Sequence, residues 1–370
     1  MTREAADGGK AAVGAPADGS ARSAALAGRA LLLRLGMPRD PAAPRHLAAF
    51  LVATVATVLL TRGALAATGY PQVGGATLHI AHVLWGGLLL AVAVVLLLSY
   101  AGPVVRPVGA LLGGIGFGLF VDEIGKFVTA DNDYFYEPTA SLIYVVVVLL
   151  VLLAEALHGR RERDPVELLA GAVDHAVSGV TGGFSPRARR QARALVRAAG
   201  DQRGTAEVRA LLRVVEDDHE ELPDITGAVA RWVVRCTYRL VRERWVPWAA
   251  VVVLTGAGVA TVGRGMVAWL QGADVPGWVV TGMLLSGAGS LACAVVGLVV
   301  VRRSRESGFA WFRRAVLVSL LLTQIFLFRL DQWAAVTGLV VDLVVLAVVA
   351  AEAEVARSRR TEGEGASTTT

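Results

Sequence analysis

The chain has 370 residues, 36 Lys and Arg against 31 Asp and Glu, a formal charge of +5, and 55% hydrophobic but only 18% charged residues. At a mean hydropathy of +0.56, the basic balance does not point to a nucleic-acid partner, because such proteins concentrate charge on a polar domain. Cys236 and Cys293 are far apart and form no CxxC, so neither a disulfide framework nor a thiolate metal site is implied.

Residues 1–45 are rich in Ala, Gly and Asp and read as a disordered tail, apart from a short surface helix at 22–35. Apolar runs able to cross a hydrocarbon core, which takes roughly 20 helical residues, follow at 47–68, 78–99, 107–127 and 139–158, and again at 247–270, 278–301, 315–329 and 333–352. The first is interrupted by Arg62 and the seventh is short. An Ala-Leu-Ala at 64–66 superficially suits signal cleavage, but the long polar stretch before the first run is unlike a secretory leader, so the first span is expected to stay. Between the fourth and fifth spans, 159–246 is polar, with Val166, Leu169, Val173 and Val177 at helical spacing, Ser185-Pro186 as a helix start and Gly200 as a stop. It predicts three or four amphipathic helices. Residues 353–370 read as a second disordered tail. The expected fold is an all-α polytopic bundle of about eight spans in two halves, 46–158 and 247–352, separated by a cytoplasmic helical insert.

Loops rich in Lys and Arg stay cytoplasmic. With both termini inside, all the Lys and Arg except Arg62, Lys126, Arg264 and Arg329 fall on the cytoplasmic side, and the opposite loops at 69–76, 130–137 and 271–277 contain none. The expected location is the cell membrane, with both termini cytoplasmic. The halves also resemble each other: 55–63, ending Arg62-Gly63, answers 259–265, ending Arg264-Gly265, and Ala154-Glu155-Ala156 answers Ala351-Glu352-Ala353. Four spans return the chain to its starting side, so these would be parallel repeats. The competing reading is chance likeness among Ala/Val-rich helices.

Candidate chemistry gathers at 69–139. His79 and His82 lie one turn apart on a single helix face. Asp122 and Glu123 end the third span, Lys126 follows, and Asp131 and Asp133 lie in the next loop. Carboxylates at a helix C-terminus oppose the macrodipole and need a cationic partner rather than serving as caps. The bland reading is an ion pair with Lys126. The sharper one makes His79, His82, Glu123, Asp131 and Asp133 ligands of a divalent metal, with Asp122, Glu123 and Lys126 catalytic. Imidazole with carboxylate suits zinc, iron or manganese, with magnesium left open. Arg62 and Arg264 are candidates for an anionic headgroup, or for neutralising Asp122 or Glu123. Tyr134 is a substrate-contact candidate weighed against an interfacial aromatic role. The glycines at 113–118 follow no strand and suit helix packing better than phosphate binding. Asp342, near mid-span, is a proton-relay candidate by the rule that intramembrane ionisable groups are functional, against a plain pairing with Gln324. The acidic run at 217–221 precedes Pro223 and reads as a solvated loop rather than a prenyl-diphosphate motif.

The segments TGYPQVGGATLHIAHVLWGG and GGIGFGLFVDEIGKFVTADNDYFYEPT resemble a signature of uncharacterised bacterial multi-pass membrane proteins, across about a fifth of the chain. The resemblance implies that His79, His82, Asp122, Glu123, Lys126 and Asp131 form one unit, and it implies no activity. Three functions remain in view: a metal-dependent enzyme acting on a lipid or isoprenoid substrate, including prenyl-phosphate chemistry; a proton- or cation-coupled transporter using Asp342; and a membrane scaffold without turnover.

Overall fold

A computed structural model describes residues 31–68, 82–123, 139–158, 163–217, 245–272 and 276–367, with Ala228 and Arg235. The chain separates into two compact units, one built from 1–43 and 160–220 and the other from 44–159 and 221–370.

Among the described residues, the larger unit contains eight helical spans long and apolar enough to cross a membrane, so the protein is an all-α multi-pass bundle. The first four are α1 (Ala43–Thr68), α2 (His82–Ser99), α3 (Val105–Asp122) and α4 (Thr139–His158). The helices α5 to α7 belong to the smaller unit. The spans resume with α8 (Val246–Leu270) and α9 (Gly277–Val300). The seventh is longer than the apolar run at 315–329 suggested. It starts at Arg305, where the Ser304 hydroxyl accepts from the Ser307 N–H, and runs as α10 (Arg305–Val318), a π-helical turn (Ser319–Thr323) and α11 (Gln324–Leu330). Arg305 is anchored to Glu352 at 2.7 Å, and Arg314 lies 4.4 Å over the Trp311 ring, so these cations are accommodated along the helix rather than in a loop. The last helix, α12 (Gln332–Ser367), continues far beyond its apolar part. The expected disordered tail from 353 is helical as far as Ser367, because Ala, Glu and Arg are strong helix formers and no proline interrupts them.

Packing in the first half depends on glycine. A methyl group on Gly114 would lie 2.5 Å from the Phe50 carbonyl oxygen, and one on Gly118 would lie 2.8 Å from that of Thr54. On another face of α3, a methyl on Gly116 would lie 2.7 Å from the Gly86 carbonyl oxygen, and one on Gly86 equally close to that of Gly116. The glycines therefore let α3 touch the backbones of α1 and α2, the small-residue packing used where lipid supplies no hydrophobic drive between helices. The Thr54 hydroxyl, fully buried, reaches the carbonyls of both Phe50 and Gly114, at 2.9 and 3.1 Å. The second half packs more conventionally, with Phe309, Phe312, Val316 and Val349 at the centre of α8, α9, α10 and α12.

Among the described residues, the smaller unit packs α5 (Pro165–Gly182), α6 (Pro186–Ala199) and α7 (Thr205–Val214) around Ala172, Ala176, Phe184, Val196 and Leu212. Ser185 caps α6 and Gly200 ends it, as the sequence indicates. Asp164 and Glu167 form a capping box on α5. Arg189 ties the unit together, lying 5.0 Å over the Phe184 ring and donating to the carbonyls of Leu212 and Val215 and to Asp217. Within the acidic run, Asp217 is thus a structural partner. Burial would push the Glu167 carboxyl up, but Arg39, 2.9 Å away, and the N–H groups of Asp164 and Arg39 outweigh it and hold it at about 2.

Two outcomes follow from this packing. Gly114→Val should destabilise the bundle by about 1–3 kcal/mol, read as a lower unfolding temperature in detergent, whereas Gly87→Ala, whose added methyl meets nothing within 4 Å, should not. The stabilising effect of the Arg39–Glu167 pair is complete above the ordinary glutamate range and is lost as the pH falls towards about 2. Amide exchange of α5 should quicken over that window in wild type, and Glu167→Gln should show about 1 kcal/mol less protection at neutral pH with a weaker acid response.

Candidate functional site

The glycine contacts fix the register in which the charges meet. Along α3, Gly114, Gly118 and Asp122 are successive i, i+4 positions, and along α1 so are Phe50, Thr54, Val58 and Arg62. The row that begins with Gly114 on Phe50 ends with Asp122 on Arg62: Arg62 Nε donates to Asp122 Oδ1 at 2.7 Å. The antiparallel α2 brings His82 to the same place, its Nε2 lying 3.2 Å from Asp122 Oδ2 and its Nδ1 3.7 Å from Glu123 Oε2. One imidazole thus stands between two carboxylates that are 1% and 0% exposed. Arg62 Nη1 also donates to Gln332 Oε1 at 3.1 Å, which ties the cluster to the start of α12.

Glu123 corrects one sequence inference. It is a cap after all, though not of its own helix: its Oε2 accepts the Val83 N–H at 2.7 Å. The C-terminus of α3 lies beside the N-terminus of α2, so the carboxylate meets the positive end of its neighbour's dipole. For Arg62, of its two expected roles the described bonds are those of neutralising Asp122. Arg264 approaches Asp331 at 3.9 Å, with both side chains about half exposed. It is the more accessible of the two arginines.

His79, Lys126, Asp131, Asp133 and Tyr134 lie outside the described residues. Among the described residues, no three of His, Cys, Asp and Glu are arranged to hold a metal ion; His82 Nε2 and Asp122 Oδ2 supply two facing donors. Trp85, Trp269, Trp278 and Trp333 are exposed and sit near the helix ends that belong to this side of the bundle, as in an interfacial aromatic belt.

Asp342, placed by sequence as a lone intramembrane acid, is 2% exposed. It accepts from the Ser319 hydroxyl at 2.6 Å and from Gln324 Nε2 at 3.0 Å. The pairing with Gln324 on the adjoining span is therefore present, and Ser319 joins it. Sequence reasoning did not anticipate Gln332 as a partner of Arg62, nor the π-helical turn beside Asp342. Gln332 carried a signal in its place at the mouth of the last span, but its partner is 270 residues away in the chain.

No family model, curated protein or solved structure matches the chain.

Removing one member of the Arg62–Asp122 pair leaves the other as an uncompensated charge. Asp122→Leu alone should cost about 3–5 kcal/mol, read from unfolding in detergent, and the double variant Arg62→Met/Asp122→Leu should recover a large part of that loss.

Proposed function

We propose that the protein is a membrane enzyme whose reaction centre is the His82 cluster, loaded with a divalent metal ion and acting on a lipid or isoprenoid substrate at the membrane boundary. The observation that carries this reading is the placing of two buried carboxylates on opposite nitrogens of one imidazole. Among the described residues these carboxylates meet one guanidinium, the imidazole and one helix N-terminus, and a divalent cation between His82 Nε2 and Asp122 Oδ2 would add to that compensation. His82 Nε2 and Asp122 Oδ2 face each other as the first two ligands, while Glu123 stands behind Nδ1. At 3.7 Å it is too far for a hydrogen bond as placed; drawn closer, it would be the outer carboxylate that orients a metal-bound histidine. His79, one turn earlier in sequence, with Asp131 and Asp133, would complete the ligand set.

Zinc, iron or manganese fits these donors, and the bound metal would supply a water activated near neutral pH. Arg62 would hold Asp122 in position rather than bind substrate, and Arg264 would offer its guanidinium to an anionic headgroup. The tryptophans around this end support a substrate that approaches from the bilayer. The arginine distribution supports cytoplasmic termini and an extracytoplasmic site, which weighs against free prenyl diphosphates as substrates. A second reading, a proton- or cation-coupled transporter, is favoured by Asp342, whose described hydrogen bonds come from neutral groups.

Purified wild-type protein should carry about one equivalent of zinc, iron or manganese per chain. His82→Ala and Asp122→Asn should lose it while keeping the wild-type elution volume. Metal-stripped protein mixed with membrane lipids should convert a lipid component only after the metal is restored, as read by mass spectrometry. Unchanged metal content in both variants would end this reading.

A further inference from the structure

The second half of the bundle contains a polar cavity that the His82 cluster does not use. It lies between α8, α9, the π-helical turn, α11 and α12, and its volume is about 30 Å³, room for about one or two water molecules. Its polar lining is Thr261, Ser290, Ser319, Thr323, Gln324 and Asp342. The rest of the lining is apolar or glycine, so Asp342 is the ionisable group in the wall. On α4, which packs against α11, Tyr144 is an ionisable group whose hydroxyl donates to the Leu320 carbonyl.

The oxygens in this cavity are not used up. Gln324 spends its amide N–H on Asp342, and its Oε1 is buried without a hydrogen-bond partner. The Thr323 hydroxyl is likewise buried and unpartnered, with Thr323 3% and Gln324 2% exposed. Buried polar atoms left unsatisfied are costly, so two of them around one cavity with a carboxylate in its wall are a mark of something bound there. The π-helical turn puts Ser319 and Thr323 on this wall, a distortion frequent at functional sites. Gly338 keeps the space open on α12, since a methyl there would lie 2.9 Å from Gln324 Nε2.

An ionised carboxylate in the hydrocarbon core must be matched by a cation or take a proton. We propose that this cavity binds a single sodium ion through Asp342, Gln324 Oε1 and the Thr323 hydroxyl, in competition with a proton on Asp342. One carboxylate matches one positive charge, oxygen donors suit a hard cation, and a cavity of this size admits a small ion that has shed most of its water. The site deepens the transporter reading and does not depend on the His82 metal. Bound sodium also links α11 and α12 through their side chains.

The test is thermal unfolding of the full chain in detergent, in sodium chloride against choline chloride at equal ionic strength. Sodium should raise the midpoint by several degrees in a saturable way. Asp342→Asn should abolish the shift, and Thr323→Val, which keeps the volume and removes one oxygen, should weaken sodium affinity about tenfold, equivalent to about 1.4 kcal/mol. Sodium should also slow carbodiimide modification of Asp342. Equal midpoints in the two salts, a shift that survives in Asp342→Asn, or modification that sodium does not slow would each overturn the proposal, the last in favour of a proton alone. Binding without sodium flux in proteoliposomes would leave the site standing and sink the transporter reading, while the metal content of His82→Ala reports on the enzyme reading separately.

Discussion

Backbone contact through glycine is the constraint on which the first half of this bundle depends. Lipid chains are as apolar as leucine, so two spans gain little from burying leucine against each other, and close approach of the main chains supplies the dispersion and polar contact instead. Gly114 and Gly118 admit α1, and Gly116 with Gly86 admits α2. Side chains one or two turns further along then have no freedom about what they meet. Asp122 is delivered to Arg62 and His82 because the helices are already in register, and the charges sit at the end of a row that begins with a carbonyl resting on a glycine.

The two polar centres solve the same electrostatic problem in different ways. Asp122 and Glu123 lie where α1, α2, α3 and the start of α12 meet, and they are compensated by a guanidinium, an imidazole and a helix end. Asp342 is placed ten residues into the last span and is approached by a hydroxyl and an amide. The first arrangement holds its carboxylates in place with fixed donors from α1 and α2. The second leaves its carboxylate in the wall of a small cavity. Their carboxylates come from different halves of the chain.

Much of the architecture was legible in the order of residues. Spans such as 139–158, 247–270 and 278–301 are recognisable because a segment of the right length and apolarity has one stable answer in a bilayer, a helix that satisfies its own backbone. Ser185-Pro186 and Gly200 announced α6 because capping is local chemistry. The seventh span was harder, since Arg313 and Arg314 look like a loop until Trp311 and the long arginine stems are seen to carry them along a helix. The helical extent of 353–367 was missed for a related reason: polar composition resembles a tail even when its residues are good helix formers.

At the functional level, sequence by itself determined which residues were available: an imidazole near the start of one span, two carboxylates at the end of another, an arginine inside a third and an aspartate within the last. It also determined the helices that carry them, because each helix is decided by its own composition and spacing. Only the tertiary structure decided the pairings. Arg62 bonds to Asp122 and Gln332, Glu123 caps α2, and the oxygens of Thr323 and Gln324 stand unpartnered beside Asp342. These relations depend on helix register and on which faces approach, and register is set by contacts between residues tens to hundreds of positions apart. A pattern read along one helix does not contain that information.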